Sequence, residues 1–310
     1  MALEFDIKEY LKSKKAKKKV VYKPESYLPI DPCLQEIMGL PGLPRGHIYQ
    51  AYGKSDTGKT TILNHLIAEI QKKGEDLPVV YITEAKVDWD RATQMGVDLE
   101  NNIIIEEDFE TIEQVFDDMF EKIAEQKAGL LPKNLVFLWD SIGNTLSEAE
   151  FEVDSEGKRE IKGTMMKAAK VIKGYMRHFS PLINKTRRDD SPFLNTMFLV
   201  NQAYTQPPKP PATESKLVPY GGDGVWFASS LSFEVKRVGK LFVTRGGKRV
   251  KFAIKSKIAV LKNHISGIEK SGEFIIAPDK IMINKDTELK KYKDIHKKDW
   301  GKIPTTEEEG

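Results

Sequence analysis

Residues 53–60 read Gly-Lys-Ser-Asp-Thr-Gly-Lys-Thr, between an apolar stretch, Ile48 to Tyr52, and a helix-like one, Thr60 to Lys73. A glycine-rich turn with these flanks requires a strand, a loop and a helix in that order, which points to an α/β fold. Gly53 and Gly58 let the backbone turn its amide hydrogens inward. The run Gly53, Lys54, Ser55, Asp56, Thr57, Gly58, Lys59, Thr60 and Thr61 is then an anion nest at a helix N-terminus. Within it Lys59 reaches the terminal phosphates of a nucleoside triphosphate, and the Thr60 hydroxyl can ligate magnesium.

Apolar periodicity predicts further strands at His47 to Tyr52, Val79 to Thr83, Leu135 to Asp140 and Thr196 to Gln202, with helix-like segments between them. That alternation predicts a mainly parallel, twisted sheet with crossover helices. Ile112, Val115, Phe116, Met119, Phe120 and Ile123 recur at helical spacing, so 111–127 is read as an amphipathic helix facing the core, and 162–176 as a second helix. The polar stretch 147–163 reads as a loop, and 203–224, with its QPPKPPATES run, as a long irregular segment. Ser230 to Val238, Lys240 to Arg245 and Arg249 to Lys262, broken at Gly239 and at 246–247, read as an antiparallel meander closing one end of the sheet.

At 310 residues the chain can bury a proper core, and no apolar run approaches the ~18 residues that span a bilayer. No membrane partner is expected. The single cysteine, Cys33, excludes an internal disulfide, and the N-terminus lacks a secretion signal, so a reducing compartment, the cytoplasm, is expected. A net charge of +3 is too small to argue for nucleic acid by itself. Its distribution is more telling: Lys8, Lys12, Lys14, Lys15 and 17–19 crowd the amino end, and a second basic run spans 290–302 before the acidic 307–309. Either run is a solvated arm or a salt-sensitive contact to a phosphate backbone.

Five further stretches carry pattern: Gly-Leu-Pro-Arg-Gly-His-Ile at 42–48, Val-Tyr-Ile-Thr-Glu-Ala at 80–85 followed by Met-Gly-Val-Asp at 95–98, the apolar run 134–139 ending in Asp140-Ser141, Leu-Val-Asn-Gln at 199–202, and Ile-Lys-Ser-Lys-Ile-Ala at 254–259. In order and spacing, from about Ser26 to Lys262, they resemble the RecA-type strand-exchange recombinases, most nearly the short phage recombinases of the UvsX type. The resemblance implies a RecA-like ATPase core with an antiparallel β extension. It also implies three regions: a basic helical polymerisation arm at 1–25, the core at 26–265 with DNA-binding loops at about 147–163 and 203–224, and a small C-terminal β and basic extension at 266–310. By the same resemblance to bacterial members, the full duplex-gathering C-terminal domain is not expected, and lysines between 290 and 302 are the candidates to substitute for it.

The same resemblance assigns roles. Glu84 orients the attacking water. Asp140, an acid at a strand end, holds the magnesium shell. Gln202 senses the γ-phosphate and relays to the loop after it. Asp88 fits the position that holds adenine, and Arg91 stands where the family has a tyrosine; an arginine plane can stack on a base. Lys255 and Lys257, on one side of a strand, reach the neighbouring subunit's triphosphate as an arginine finger does. Lys158, Arg159, Lys209, Lys216 and the amides near Gly221 and Gly222 are expected to contact DNA phosphates, with Tyr204 or Tyr220 wedging between bases.

The function implied is an ATP- and Mg2+-dependent recombination and repair protein that polymerises on single-stranded DNA and exchanges strands with a homologous duplex. Its partners would be both DNAs, further copies of itself in a filament with ATP at the subunit interface, a loading mediator and a single-strand-binding protein. A ring helicase sharing the core, or a low-activity recombination mediator, are the alternatives; a low-activity mediator would show little ATPase with or without DNA.

Overall fold

The computed structural model describes residues 21–84, 87–153, 159–161, 165–208, 213, 215–245 and 248–296. Its strands run β1 (Tyr27–Leu28), β2 (Leu43–Pro44), β3 (Ile48–Gly53), β4 (Asp76–Ile82), β5 (Ile104–Glu106), β6 (Asn134–Asp140), β7 (Phe151–Val153), β8 (Arg159–Ile161), β9 (Thr196–Gln206), β10 (Lys216–Pro219), β11 (Leu231–Arg245), β12 (Lys248–Asn263), β13 (Ser271–Ile276) and β14 (Ile281–Ile283). The helices are α1 (Pro32–Met38), α2 (Lys59–Lys73), α3 (Trp89–Gln94), α4 (Ile112–Lys127), α5 (Met165–Lys185), α6 (Asp223–Ala228) and α7 (Asp286–His296).

Ten strands share one sheet, in the order β14-β13-β12-β11-β3-β9-β6-β4-β5 with β10 added beside β9. The pairs from β11–β3 to β4–β5 are parallel, and β11–β12, β12–β13 and β13–β14 are antiparallel. The period-2 alternation of each central strand feeds two cores, one on each face. Val136 and Leu138 of β6 join Ile62, Leu66 and Ile67 of α2 on one side. Leu135, Phe137 and Trp139 join Phe116 and Met119 of α4 and Phe179 of α5 on the other. There Phe116 meets Trp139 edge-on, with ring centroids 5.5 Å apart. Such a pair adds about 1 kcal/mol beyond the area it buries. Thr111 and Gln114 form a reciprocal capping box at the start of α4, and Gly74, at φ 67°, ends α2 in the left-handed conformation that favours glycine.

Three expectations are corrected. The second helix continues past Met176 to Lys185, because Phe179 and Ile183 extend the buried stripe and Pro181 is accommodated within it. The loop regions contain paired backbone: β7 pairs with β8, and β9 runs on to Gln206 against β10. The prolines at 207 and 208 fall just past the last paired residue, where a missing amide hydrogen costs no ladder bond. Gly239 does not divide two strands; it sits at a bulge inside the single 15-residue strand β11. The N-terminal arm up to residue 20, Lys158, Lys209, and the basic and acidic run from 297 onward lie outside the described residues.

Candidate functional site: a nucleotide cleft at the carboxyl edge of the sheet

The phosphate loop leaves β3 at Gly53, which pairs with Gln202 of β9. A side chain at Gly53 would overlap the Val235 carbonyl oxygen, so close approach of β11 demands glycine here. Gly58 has φ 101° and lies under the Ile276 side chain. The loop, the ends of β6 and β9, α3 and the β11–β12 ribbon enclose a cleft of 1280 Å³ that includes Ser55 to Thr61, Glu84, Asp88, Arg91, Asp140 and Gln202.

Lys59 is buried and donates to Lys54 O at 2.8 Å, which holds its ammonium across the loop. Thr57 Oγ1 donates to the same carbonyl at 3.0 Å. Burial lowers the Lys59 pKa from its ordinary value, and the nearby Asp140 carboxylate opposes that shift. Thr60 donates its hydroxyl to Asp140 Oδ2 at 2.6 Å. Burial pushes Asp140 up to about 6, against the lowering effect of the Thr60 hydrogen bond. One hydroxyl and one carboxylate meeting at the phosphate loop are hard oxygen donors that fit Mg2+, an ion that keeps several waters and takes phosphate oxygens as its other ligands. No group of three or more His, Cys, Asp or Glu that could hold a metal occurs among the described residues.

Glu84 is the hub. Its Oε1 accepts from Ser141 Oγ at 2.6 Å, from Asn144 Nδ2 at 2.7 Å and from Gln202 Nε2 at 2.9 Å. Gln202 Oε1 faces Ser55 Oγ at 3.4 Å, the long end of hydrogen-bond range. One carboxylate oxygen is thus held by Ser141 just past β6, by the turn that follows and by β9, on a residue that lines the cleft. Gly143 allows the turn to lie this close: a methyl group there would sit 2.6 Å from Asn201 Oδ1 and 2.9 Å from Gln202 N.

At α3, Asp88 caps the helix by accepting from Arg91 N at 2.9 Å. Burial lowers the Arg91 pKa and Asp88 counters it; among the described residues Arg91 Nε has no hydrogen-bond partner. Both side chains line the cleft. Lys255 and Lys257 do not. Ser256, between them, donates to Thr57 O at 2.8 Å, so β12 turns Ser256 to the phosphate loop and the two lysines away from it. Lys257 is exposed, and Lys255 is paired with Glu273 at 2.7 Å, which holds that carboxyl below its usual range.

The DNA candidates lie on two hairpins. Arg159 starts β8, which follows β6 through the Asn144 turn. Tyr204 on β9 and Tyr220 after β10 pack on each other with centroids 5.1 Å apart, so each ring covers the other in the protomer. Lys216 is exposed at the open end of β10. Tyr220 N donates to Gln202 O at 3.0 Å and Asn201 Nδ2 to Tyr220 O at 2.8 Å, tying the base of this hairpin to β9 at Asn201 and Gln202. Gly221 and Gly222 follow with φ 83° and 65°, against Ile172 and Ala169 of α5. Sequence reasoning missed Asn144, which carries no pattern of its own, and assigned no role to Ser141 beside Asp140 or to Ser256 between the two lysines.

The RecA N-terminal domain family matches residues 13–282. The chain belongs to the RecA family. Similar proteins include Protein RecA of Aquifex aeolicus, 26% identical over 249 residues, covering 77% of this chain and 61% of that one. Protein RecA of Ureaplasma parvum is 28% identical over 234 residues, 75% of this chain and 62% of that one. Protein RecA of Acholeplasma laidlawii is 28% identical over 261 residues, 78% and 70% respectively. The chain therefore spans little more than three-fifths of the length of the first two relatives. Among the described residues no helix is long and apolar enough to cross a membrane.

Proposed function

We propose that this RecA-family protein is a DNA-dependent ATPase that polymerises on single-stranded DNA and exchanges strands with a homologous duplex. The observation that carries the reading is the Gln202–Glu84 hydrogen bond beside the phosphate loop, at the root of the β9–β10 hairpin. Bound Mg2+ would neutralise charge on the phosphate oxygens. Asp140 and Thr60 would hold its shell, and the nest of loop amides with Lys59 would bind the phosphates. Glu84 Oε2 would orient water in line with the terminal phosphate while the donors on Oε1 fix the carboxylate plane.

A γ-phosphate competes with Glu84 for the Gln202 amide. Its arrival would pull Gln202 off the carboxylate and move the attached hairpin, which couples triphosphate to DNA. Lys255 and Lys257, turned away from their own loop, are available to the triphosphate of the next subunit, once Lys255 leaves Glu273. Arg91 and Asp88 would hold the base. Tyr204, Tyr220, Lys216, Arg159 and the Gly221–Gly222 amides would meet the DNA. A single-strand-binding protein and a loading mediator are the expected accessories.

The test is displacement of a labelled strand from a short duplex by homologous or heterologous single-stranded DNA, with Mg2+ and a hydrolysis-resistant ATP analogue. Homology-dependent displacement is the expected result. Unwinding that needs true ATP and ignores homology would make the protein a helicase. Tight nucleotide binding with neither activity would make it a mediator.

A further inference from the structure

The β11–β12 ribbon carries cations on both of its faces. Ser256 marks the face toward the phosphate loop through its bond to Thr57 O. Arg237 stands directly opposite Ser256 in the ribbon's register, and opposed residues of an antiparallel pair project to the same side. Arg237 therefore faces the cleft of its own subunit. Regular alternation would send Lys240, three residues on, to the other face. It does not, because the register shifts between Arg237 and Gly239, and Lys240 comes to oppose Ile254, which shares the Ser256 face. Both Arg237 and Lys240 line the nucleotide cleft, whereas Lys255 and Lys257 do not. The bulge thus puts two cations on one side of a strand at a spacing that would otherwise separate them.

Charge gives the arrangement its meaning. Among the described residues away from the ribbon, the cleft lining has five carboxylates, among them Asp56, Asp88 and Asp90, and two cations, Lys59 and Arg91. Those side chains alone carry a net negative formal charge. The ribbon supplies three more cations, Arg237, Lys240 and Lys251, so that the cations match the five carboxylates among the described lining residues. Arg237 is exposed and makes no hydrogen bond or ion pair among the described residues, so its planar fork of donors needs no rearrangement to take phosphate oxygens.

We propose that Arg237 and Lys240 clamp the phosphate chain of the nucleotide held by the same subunit, so that one ribbon grips its own nucleotide with one face and the neighbour's with the other. This rests on the reading of the cleft as a nucleoside triphosphate site. The β-bulge is then a device for binding, since the extra residue Val238, half exposed, turns Lys240 inward.

The experiment measures binding of AMP, ADP and ATP, each with Mg2+ and without DNA, to the full chain and to Arg237→Ala, Lys240→Ala, the double variant and Lys236→Ala. Lys236, paired with Glu234 on the far face, is the control. The double variant should bind ATP roughly tenfold more weakly, ADP less so and AMP unchanged, as charge-assisted contacts to phosphate require, while Lys236→Ala matches the parent. Deleting Val238 should reproduce the Lys240→Ala loss, and adding Lys240→Ala to the deletion should then change nothing. Equal weakening for all three nucleotides, or none, overturns the proposal. In a separate titration of the same variants with single-stranded DNA, loss of DNA affinity with ATP affinity intact also overturns it, by assigning these cations to the DNA backbone. If the folded parent binds none of the nucleotides, the reading of the cleft itself is wrong; that result cannot be confused with a parent that binds ATP and a double variant that binds it equally well.

Discussion

The Gln202 side-chain amide donates to Glu84 Oε1 at 2.9 Å, joining β9, at the root of its hairpin with β10, to the carboxylate proposed to orient water. Glu84→Gln should lower ATP hydrolysis by about 10²-fold or more while ATP affinity changes little, the pattern of a lost base. Gln202→Ala should leave basal hydrolysis within a few-fold of the parent but abolish its stimulation by single-stranded DNA. Steady-state assays with and without DNA check both, and a Gln202→Ala enzyme that DNA still stimulates fully would remove the relay.

Asn144 holds the same carboxylate oxygen from the turn that leads into the β7–β8 hairpin. Asn144→Ala should reduce kcat several-fold at constant ATP affinity, and Asn144→Ser, with a shorter donor, should recover part of it. Equal losses in kcat and in affinity would show that the side chain supports the fold of the cleft instead of the position of Glu84.

Asp140 predicts a pH dependence. Its folded pKa, about 6, lies above the ordinary carboxylate value, so the folded apoprotein binds the proton more tightly than the unfolded chain does. The contribution to stability is present at low pH, falls as pH rises from about 4 to about 6, and is gone above that. Asp140→Asn should therefore stabilise the apoprotein near pH 8, by on the order of 2 kcal/mol, while weakening Mg2+-dependent nucleotide binding severely. For the parent, binding of the magnesium nucleotide should weaken below about pH 6 as the ligand oxygen is protonated. Thermal melts and nucleotide titrations across pH 5–8 measure the two effects separately.

The lysine pair can be tested by mixing. Lys255→Ala/Lys257→Ala subunits keep an intact phosphate loop and should be inactive alone, as should Lys59→Ala subunits. Lysines that act across a subunit boundary predict that equal mixtures regain part of the DNA-stimulated hydrolysis. Mixtures as inactive as either component would return these side chains to the solvent-facing role that their exposure also allows.

The phosphate loop, Asp140 at the end of β6 and the alternation of strand and helix were legible in the sequence because each is a local pattern with one backbone solution. Glu84, Asp88 and Gln202, which line the cleft, were singled out only through resemblance, since nothing local distinguishes them from surface residues. Asn144 was invisible: its partner lies 60 residues away, and only the pairing of β6 with β4 brings the two together. Gly239 misled for a related reason. A glycine in a strand pattern signals either a turn or a bulge, and which it is depends on whether the partner strand continues past it, as β12 does here. The paired ends of the two loops were hidden by the prolines and charges that dominate their composition.

Ile276 of β13 lies over Gly58, and Gly272 of the same strand packs against Ile37 of α1, although these strand residues lie more than two hundred positions beyond the phosphate loop in the chain. A wall of the cleft is thus supplied by a short, late strand at the far side of the ribbon. Splitting the polypeptide in the turn between β12 and β13 would make two pieces of which neither holds a finished cleft. Their reassembly would be driven in part by the nucleotide, and nucleotide would act as the glue of a two-piece sensor whose light-emitting halves report its concentration.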